Sequence, residues 1–380
     1  VSRIPTNRGS SVRAAFFSDA LPERNGTGAY YHDLLPQLAA QGVCPRIYQT
    51  DTDGQPRLLS MRMPGDRQQR LAVPPITAIQ RSLRQLQPQV VIVATPGLFG
   101  LYGIWVARRR RLRLLAAFHT DFERLATMYW TPLPRLFFAS VLRWANRVVC
   151  RAADCVLVNN EALLPLVRDL GARDARVIGT PLPGECLHLP AAIPDTLTRV
   201  CFAGRMAPEK NIGRIIDAAA CLPEIEFLLI GDGPLRSALE LRARGLANVH
   251  FTGWLSRQAL ISALDSCSLL LLPSEFETFG SVALEALARG RPALVSAAAG
   301  ICAWDELRGG VLPLEPDRDL AQCLRDLASA TPEEWRQRSS AARQAAMALN
   351  DATVASWSRI LKGQDATPTD NAQDDAMVNS

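Results

Sequence analysis

Short apolar runs recur along the chain, separated by stretches with helical spacing. Residues 14–17, 90–94, 114–118, 155–158 and 177–178 are strand-length and apolar throughout. That is the pattern of strands covered on both faces of a parallel sheet. Segments 28–41, 74–87, 98–110, 133–151 and 161–171 read as helices between them. The rhythm predicts a doubly wound α/β sheet. A proline-rich break follows, with Pro181, Pro183, Pro190 and Pro194 and no periodicity, the mark of a linker. Beyond it the rhythm resumes, with strands opening at Val200, Glu226 and Asn248, then at 268–272 and 293–296. Helical segments follow at 318–328, 333–348 and 351–361. The expected layout is a first α/β domain at 11–182, a linker at 183–197, a second domain at 198–350 and a closing helix at 351–362. Residues 1–10 and 363–380 read as disordered tails. A chain of 380 residues suits two such cores.

Chemistry concentrates where the run 269–272 ends. Residues 273–290 read PSEFETFGSVALEALARG, a loop feeding a compact helix closed by Gly290. Glu277 lies in the loop. Glu285 lies in the helix among Val282, Ala283, Leu284, Ala286, Leu287 and Ala288, where a carboxylate is costly without hydrogen-bond donors. Vicinal sugar hydroxyls would supply them; otherwise Glu285 reaches solvent and Glu277 is an ordinary loop acid. Other strand ends carry further candidates. Gly26 and Gly28 sit at the first strand-to-helix turn, either bringing N–H groups near a phosphate or forming a plain left-handed turn. His119, one of four histidines, follows the run 114–118. Arg205 and Lys210 follow the run 200–203. Trp254 either stacks on a base or packs on the sheet.

The pattern of Ser274, Glu277-Thr278-Phe279-Gly280, Glu285-Ala286, Ala288 and Gly290 resembles the signature of retaining family-4 glycosyltransferases of the GT-B fold. Gly204-Arg205 with Lys210-Asn211, and Gly231-Asp232-Gly233-Pro234-Leu235, are similar to two further elements of that family. Phe118-His119-Thr120-Asp121 is similar to a cluster in members that act on lipids or inositol lipids. The resemblance implies the GT-B architecture, two Rossmann-like doubly wound domains facing a central cleft, with the last helix returning to the first domain near Trp357. It implies catalytic roles for Glu277, His119, Arg205 and Lys210. It also implies donor contacts at Gly26, Gly28, Gly204, Arg205, Lys210, Gly231, Trp254, Leu255, Glu277, Thr278, Phe279, Gly280 and Glu285. Glu277 would meet sugar hydroxyls, Glu285 the ribose, and Arg205 with Lys210 the diphosphate.

Charge adds a partner. The net charge of +5 divides unevenly: residues 1–190 hold 24 arginines against 13 acids, or +11, and the rest sums to −6. Lys210 and Lys362 are the only lysines, so an ammonium at 210 stands out where arginine is otherwise the default base. The basic first half predicts an anionic partner; nucleic acid is not expected, since no binding motif is present. In the helix at 133–151, Arg135, Arg143, Arg147 and Arg151 fall at multiples of four, with Leu133, Phe137, Val141, Trp144 and Val148 on another face. Met128-Tyr129-Trp130 lies just upstream. With Arg108, Arg109, Arg110 and Arg111, the helix reads as a contact for membrane or acceptor, or as an ordinary amphipathic helix on the sheet.

No apolar run is long enough to span a bilayer, and the N-terminus has no apolar signal core. The nine cysteines are scattered singly, without zinc spacing. The expected location is the cytoplasm, peripheral on the inner face of the cytoplasmic membrane. Asp51-Thr52-Asp53 and Asp317-Arg318-Asp319 fit a D-x-D string but sit poorly for a metal. No metal or other cofactor is therefore expected, with Arg205, Lys210 and the helix dipole at Gly280 meeting the phosphate charge. The expected reaction is retaining hexosyl transfer from a UDP- or GDP-sugar to a hydroxyl of a membrane lipid or lipid-linked glycan. The alternatives are a soluble sugar or polysaccharide acceptor, or sugar-nucleotide epimerisation on the same fold.

Overall fold

The computed structural model describes residues 11–20, 26–49, 60–63, 66–119, 132–190 and 192–364, with main chain alone at 60–63, 66–71 and 132–139. The first half contains strands β1 (Val12–Phe17), β2 (Val43–Tyr48), β3 (Ser60–Met63), β4 (Asp66–Ala72), β5 (Val90–Val93), β6 (Arg113–Phe118), β7 (Cys155–Val158) and β8 (Ala175–Val177). Its helices are α1 (Gly26–Ala40), α2 (Ile76–Leu86), α3 (Leu98–Arg110), α4 (Pro132–Ala152) and α5 (Leu164–Asp169). The second half contains β9 (Arg199–Ala203), β10 (Glu226–Ile230), β11 (Val249–Gly253), β12 (Leu269–Leu272), β13 (Ala293–Ser296) and β14 (Val311–Leu314). Its helices are α6 (Gly213–Cys221), α7 (Arg236–Arg242), α8 (Arg257–Asp265), α9 (Ser281–Ala288), α10 (Leu320–Ala328) and α11 (Pro332–Lys362).

Each half builds one parallel six-stranded sheet, ordered β2-β1-β5-β6-β7-β8 and β11-β10-β9-β12-β13-β14. The order reverses at β1/β5 and at β9/β12, and crossovers on opposite faces leave a crevice beyond the strand ends there. The central strands are covered on both faces, which explains their unbroken apolar runs: β5, β7 and β12 are buried at every position. Strand β2, with exposed Cys44 and Arg46, lacks such a run, and it was not anticipated. Neither was the β3–β4 hairpin, which pairs antiparallel apart from both sheets.

One expectation fails at the C-terminus. The segments 333–348 and 351–361 are a single helix, α11, of 31 residues. Thr331 and Glu334 form a reciprocal capping box at its start, and Gly363 ends it with φ 68°. No proline or glycine interrupts it after the first turn. Asn350, at the anticipated break, keeps helical backbone and spends its side chain elsewhere. It accepts from Leu182 N at 2.8 Å and donates to Gln37 Oε1 at 3.0 Å. The helix therefore runs from the second core, where it buries Trp335, Ala342 and Ala346, to the first, where it buries Val354, Trp357 and Ile360. Trp357 lies on the first half, its Nε1 donating to the Tyr30 hydroxyl at 2.7 Å.

The linker is fastened to the second half by arginines. Arg289 donates to His188 O at 2.6 Å, Arg291 to Ala192 O at 2.7 Å and Arg343 to Leu187 O at 3.2 Å. Charge-assisted bonds of this kind satisfy carbonyls that an irregular segment would otherwise leave without partners.

Candidate functional site

The reversal at β9/β12 brings two distant loops together. After β9 the chain passes Gly204 and Arg205 into a 3-10 turn at Pro208–Lys210, which Asn211 closes at φ 51°. After β12, residues 273–280 lead to Gly280, whose φ of 103° turns the chain into α9. The Lys210 ammonium pairs with the Glu277 carboxylate, both mostly buried. Glu275 N donates to Glu209 O at 2.8 Å, joining the same two loops through the backbone. Arg205, 44% exposed, reaches Glu209 Oε1 at 3.3 Å. Glu209 Oε2 and Ser274 Oγ are buried without hydrogen-bond partners among the described residues. Two mobile-length cations, two carboxylates and the positive end of a helix thus meet at the strand ends, a setting that suits an anion carrying hydroxyls.

Glycine also lets the end of β10 close on the first of these loops. Gly231, at the end of β10, has φ 126°, and a Cβ there would lie 2.0 Å from Gly204 O. Beyond β11, Trp254 is 66% exposed, so it does not pack on the sheet.

Glu285 reaches a second charged cluster. Burial pushes its carboxyl up to about 7; Arg257 opposes the rise, while Asp33 and Glu185 add to it. Arg257, at the start of α8, also pairs with Asp33 of α1, an ion pair between the two halves. Asp33 is itself raised, by burial first.

The first half contributes its own strand ends. Asp19, after β1, accepts from Thr95 Oγ1 at 2.8 Å and from Phe99 N at 2.9 Å. It caps α3 from outside the helix, satisfying N–H groups that the helix cannot. His119, after β6, is partly buried. Its Nε2 lies 2.8 Å from the Tyr31 hydroxyl and its ring 4.4 Å from that of Tyr30. Burial pushes the imidazole down to about 4. The bridge to the Glu277 loop is Asn160, whose Nδ2 donates to Thr278 O at 3.3 Å.

Lys210, Glu277, Arg205 and the Gly280 turn thus share one place, with Thr278 tied to the first half. The Phe279 side chain is 2% exposed, its ring edge-on to Trp304, so it anchors the loop and leaves only its main chain to face a donor. Gly26 and Gly28 are helical residues of α1, with neither in the left-handed region. The preceding segment, 21–25, lies outside the described residues, as do Asp51, Asp53, Thr120, Asp121, Met128-Tyr129-Trp130 and the side chain of Arg135. Asp319 accepts from Ala321 N at 2.9 Å as the cap of α10, which explains that D-x-D string. Among the described residues no three potential metal ligands group together.

The apolar face of α4 is exposed at Val141 and Trp144 and half-buried at Val148. Ala145, Asn146, Val149 and Cys150 are buried, whereas Val141 is 44% and Trp144 58% exposed. Beside them Trp105 of α3, 51% exposed, stacks on Tyr102. A groove of about 490 Å³ between the helices is lined by Leu101, Ile104, Trp105, Arg108, Arg109 and Val148. Arg108, Arg109, Arg111 and Arg147 are exposed. Arg110 turns inward to Gln80 Oε1 at 3.0 Å and Leu83 O at 3.2 Å, and Arg143 pairs with Asp169 at 3.4 Å. No helix among the described residues is long and apolar enough to cross a membrane.

Asp19, Asp33, Asn160, Glu209, Arg257 and Trp105 were not singled out from sequence. Pro208-Glu209-Lys210 offered a signal in its adjacency to the rare lysine; the others take their meaning from partners far along the chain.

Known proteins resemble this chain in sequence and in fold. Residues 24–182 match the family model described as Glycosyltransferase Family 4, and residues 189–304 the one described as Glycosyl transferases group 1. A GDP-mannose-dependent alpha-mannosyltransferase of Mycobacterium tuberculosis is 29% identical over 76% of this chain and 80% of its own. A GDP-mannose-dependent alpha-(1-6)-phosphatidylinositol dimannoside mannosyltransferase of Mycobacterium tuberculosis is 34% identical over 43% of this chain and 42% of its own. Among solved structures, the sucrose-phosphate synthase of Thermosynechococcus elongatus superposes with a TM-score of 0.72 at 18% identity, over 93% of this chain and 99% of that one.

Proposed function

As the chain belongs to the family-4 glycosyltransferases of the GT-B fold, we propose that it moves a hexose from a nucleoside-diphosphate sugar to a hydroxyl of a lipid or lipid-linked glycan, retaining the anomeric configuration and using no metal. The contact between Lys210 and Glu277 carries this reading. One group suits a departing phosphate and the other a sugar hydroxyl, and donor binding sets both at the same anomeric centre. Breaking the bond between C1 and the phosphate oxygen leaves growing negative charge on the diphosphate. Lys210, Arg205 and the start of α9 are placed to offset it. The acceptor oxygen bonds to C1 on the face the phosphate leaves, and its proton passes to the departing phosphate oxygen. Glu285 accepts from the ribose hydroxyls, which replace the solvation its burial removes.

GDP-mannose is the first donor to try, because the relative aligned over most of its length is named for it. A lipid acceptor is favoured by the name of the second relative and by the α3–α4 face. There, exposed Trp105, Trp144 and Val141 beside Arg108, Arg109, Arg111 and Arg147 suit a peripheral contact with anionic lipid on the inner face of the cytoplasmic membrane. The test is to incubate purified protein with GDP-mannose or UDP-glucose and either phosphatidylinositol vesicles or soluble sugars. Mass spectrometry of the products and NMR of the new anomeric centre then read the outcome. A mannosylated or glucosylated lipid with retained configuration supports the reading; donor epimerised in the absence of acceptor contradicts it.

A further inference from the structure

The hydroxyl of Tyr31 is fully buried in α1, and His119 Nε2 at 2.8 Å is its hydrogen-bond partner among the described residues. A buried hydroxyl must give its hydrogen somewhere or forfeit about 1–3 kcal/mol. Were Nε2 to carry a proton and donate it to Tyr31, the phenol hydrogen would be left without an acceptor. Donation from Tyr31 to Nε2 satisfies both groups with one bond. Tyr30, the other phenol at the ring, is already committed, since it donates to Gly179 O at 2.9 Å and accepts from Trp357 Nε1 at 2.7 Å. Its ring covers the imidazole at 4.4 Å, and the Trp357 contact holds it from α11.

We propose that Tyr31 is a positioning residue that fixes His119 as the neutral tautomer with its proton on Nδ1, so that the imidazole serves the cleft as a hydrogen-bond donor and not as a general base. The Nε2 lone pair is occupied by the phenol. Nδ1 makes no hydrogen bond among the described residues, and its N–H can only donate, to a lone pair of a sugar hydroxyl or other ligand oxygen. Burial, which pushes the imidazole down to about 4, agrees with a neutral ring. Tyr30 and Tyr31, both from α1, are the titratable groups facing it, and no carboxylate or cation among the described residues shifts it. Asp121 lies outside those residues. Burial likewise holds the Tyr31 phenol well above its ordinary value, so its hydrogen stays available to donate.

The test is long-range ¹H–¹⁵N NMR on protein labelled at its four histidines, with the His119 signals assigned by their loss in His119→Gln. From about pH 6 to pH 8 the wild type shows the Nδ1–H pattern, and Tyr31→Phe shows signals averaged between the two tautomers. An Nε2–H pattern or an imidazolium in the wild type, or an unchanged pattern in Tyr31→Phe, overturns the proposal. These spectra need no substrate, so they stand apart from the proposed transfer reaction. A kinetic arm rests on that reaction: Tyr31→Phe lowers kcat about tenfold at unchanged acceptor KM, and lowers it no further in a His119→Ala background. Equal, additive losses in the two backgrounds would show a merely structural role.

Discussion

Lys210 and Glu277, 67 residues apart in sequence, pair across the loops that leave β9 and β12. The pair sits where the strand order reverses, so the fold itself decides that these side chains meet. Each holds the other in place before any ligand arrives, which lowers the cost of ordering them when a sugar diphosphate binds.

Replacing Lys210 with Ala leaves Glu277 mostly buried without its cation and removes the charge proposed to meet the phosphate. The expected loss in kcat is roughly 10²–10³-fold, the size seen when one preorganised transition-state donor is deleted. Lys210→Arg should recover little, because a planar fork does not reproduce a compact ammonium in this space. Steady-state rates read both variants, with circular dichroism checking the fold. Wild-type turnover in Lys210→Ala would remove the pair from the mechanism.

Glu285 should make both stability and donor binding depend on pH. Its folded pKa of about 7 lies above the ordinary value of 4.5. Its contribution to stability is therefore fully present below about pH 4.5 and is lost as the pH rises through about 7. Glu285→Gln, which cannot ionise, should raise Tm over the wild type at pH 8 and not at pH 4. Donor affinity in the wild type should climb as the pH rises through about 7, since a carboxylate accepts from ribose hydroxyls better than its acid form. In Glu285→Gln that affinity should be weaker and flat with pH; calorimetric titrations with nucleoside diphosphate measure it.

Gly231→Ala tests whether the chain leaving β10 must touch the chain leaving β9. The new methyl would meet Gly204 O at 2.0 Å in a left-handed backbone, with a cost on the order of 3 kcal/mol. Thermal melts should show a clear fall in Tm, and donor binding should weaken even where the protein folds. An unchanged melt would mean that the loops part easily.

How much of this was legible follows from where the information lay. The buried strands announced themselves because their two covered faces require apolar residues without alternation, and Glu277, Arg205 and Lys210 lay in spacings long enough to be specific. The edge strand β2 and the β3–β4 hairpin gave no such run. Asp33 and Arg257 are 224 residues apart, and neither neighbourhood hints at the other. The false break near Asn350 shows a related limit: a residue that often ends helices instead keeps this one whole, because the linker and Gln37 occupy its amide. On α4 the apolar face is exposed at Val141 and Trp144 and half-buried at Val148, a division that spacing along one helix does not give.

That outward face gives a prediction of its own. Substituting Trp105 and Trp144 with Ser, and separately Arg108 with Arg109, should each reduce sedimentation with vesicles containing anionic lipid, the arginine pair more strongly at low salt. Turnover of a water-soluble acceptor should be unaffected. Equal binding to neutral and anionic vesicles would argue against the electrostatic part.

The central claim is that side-chain cations, and no metal ion, neutralise the donor's phosphates. Initial rates of hexose transfer measured in excess chelator address it most directly. The account predicts the same rate as in untreated enzyme, and near-complete loss in Arg205→Ala and Lys210→Ala under either condition. Wild-type turnover abolished by chelator and restored by magnesium or manganese would contradict it.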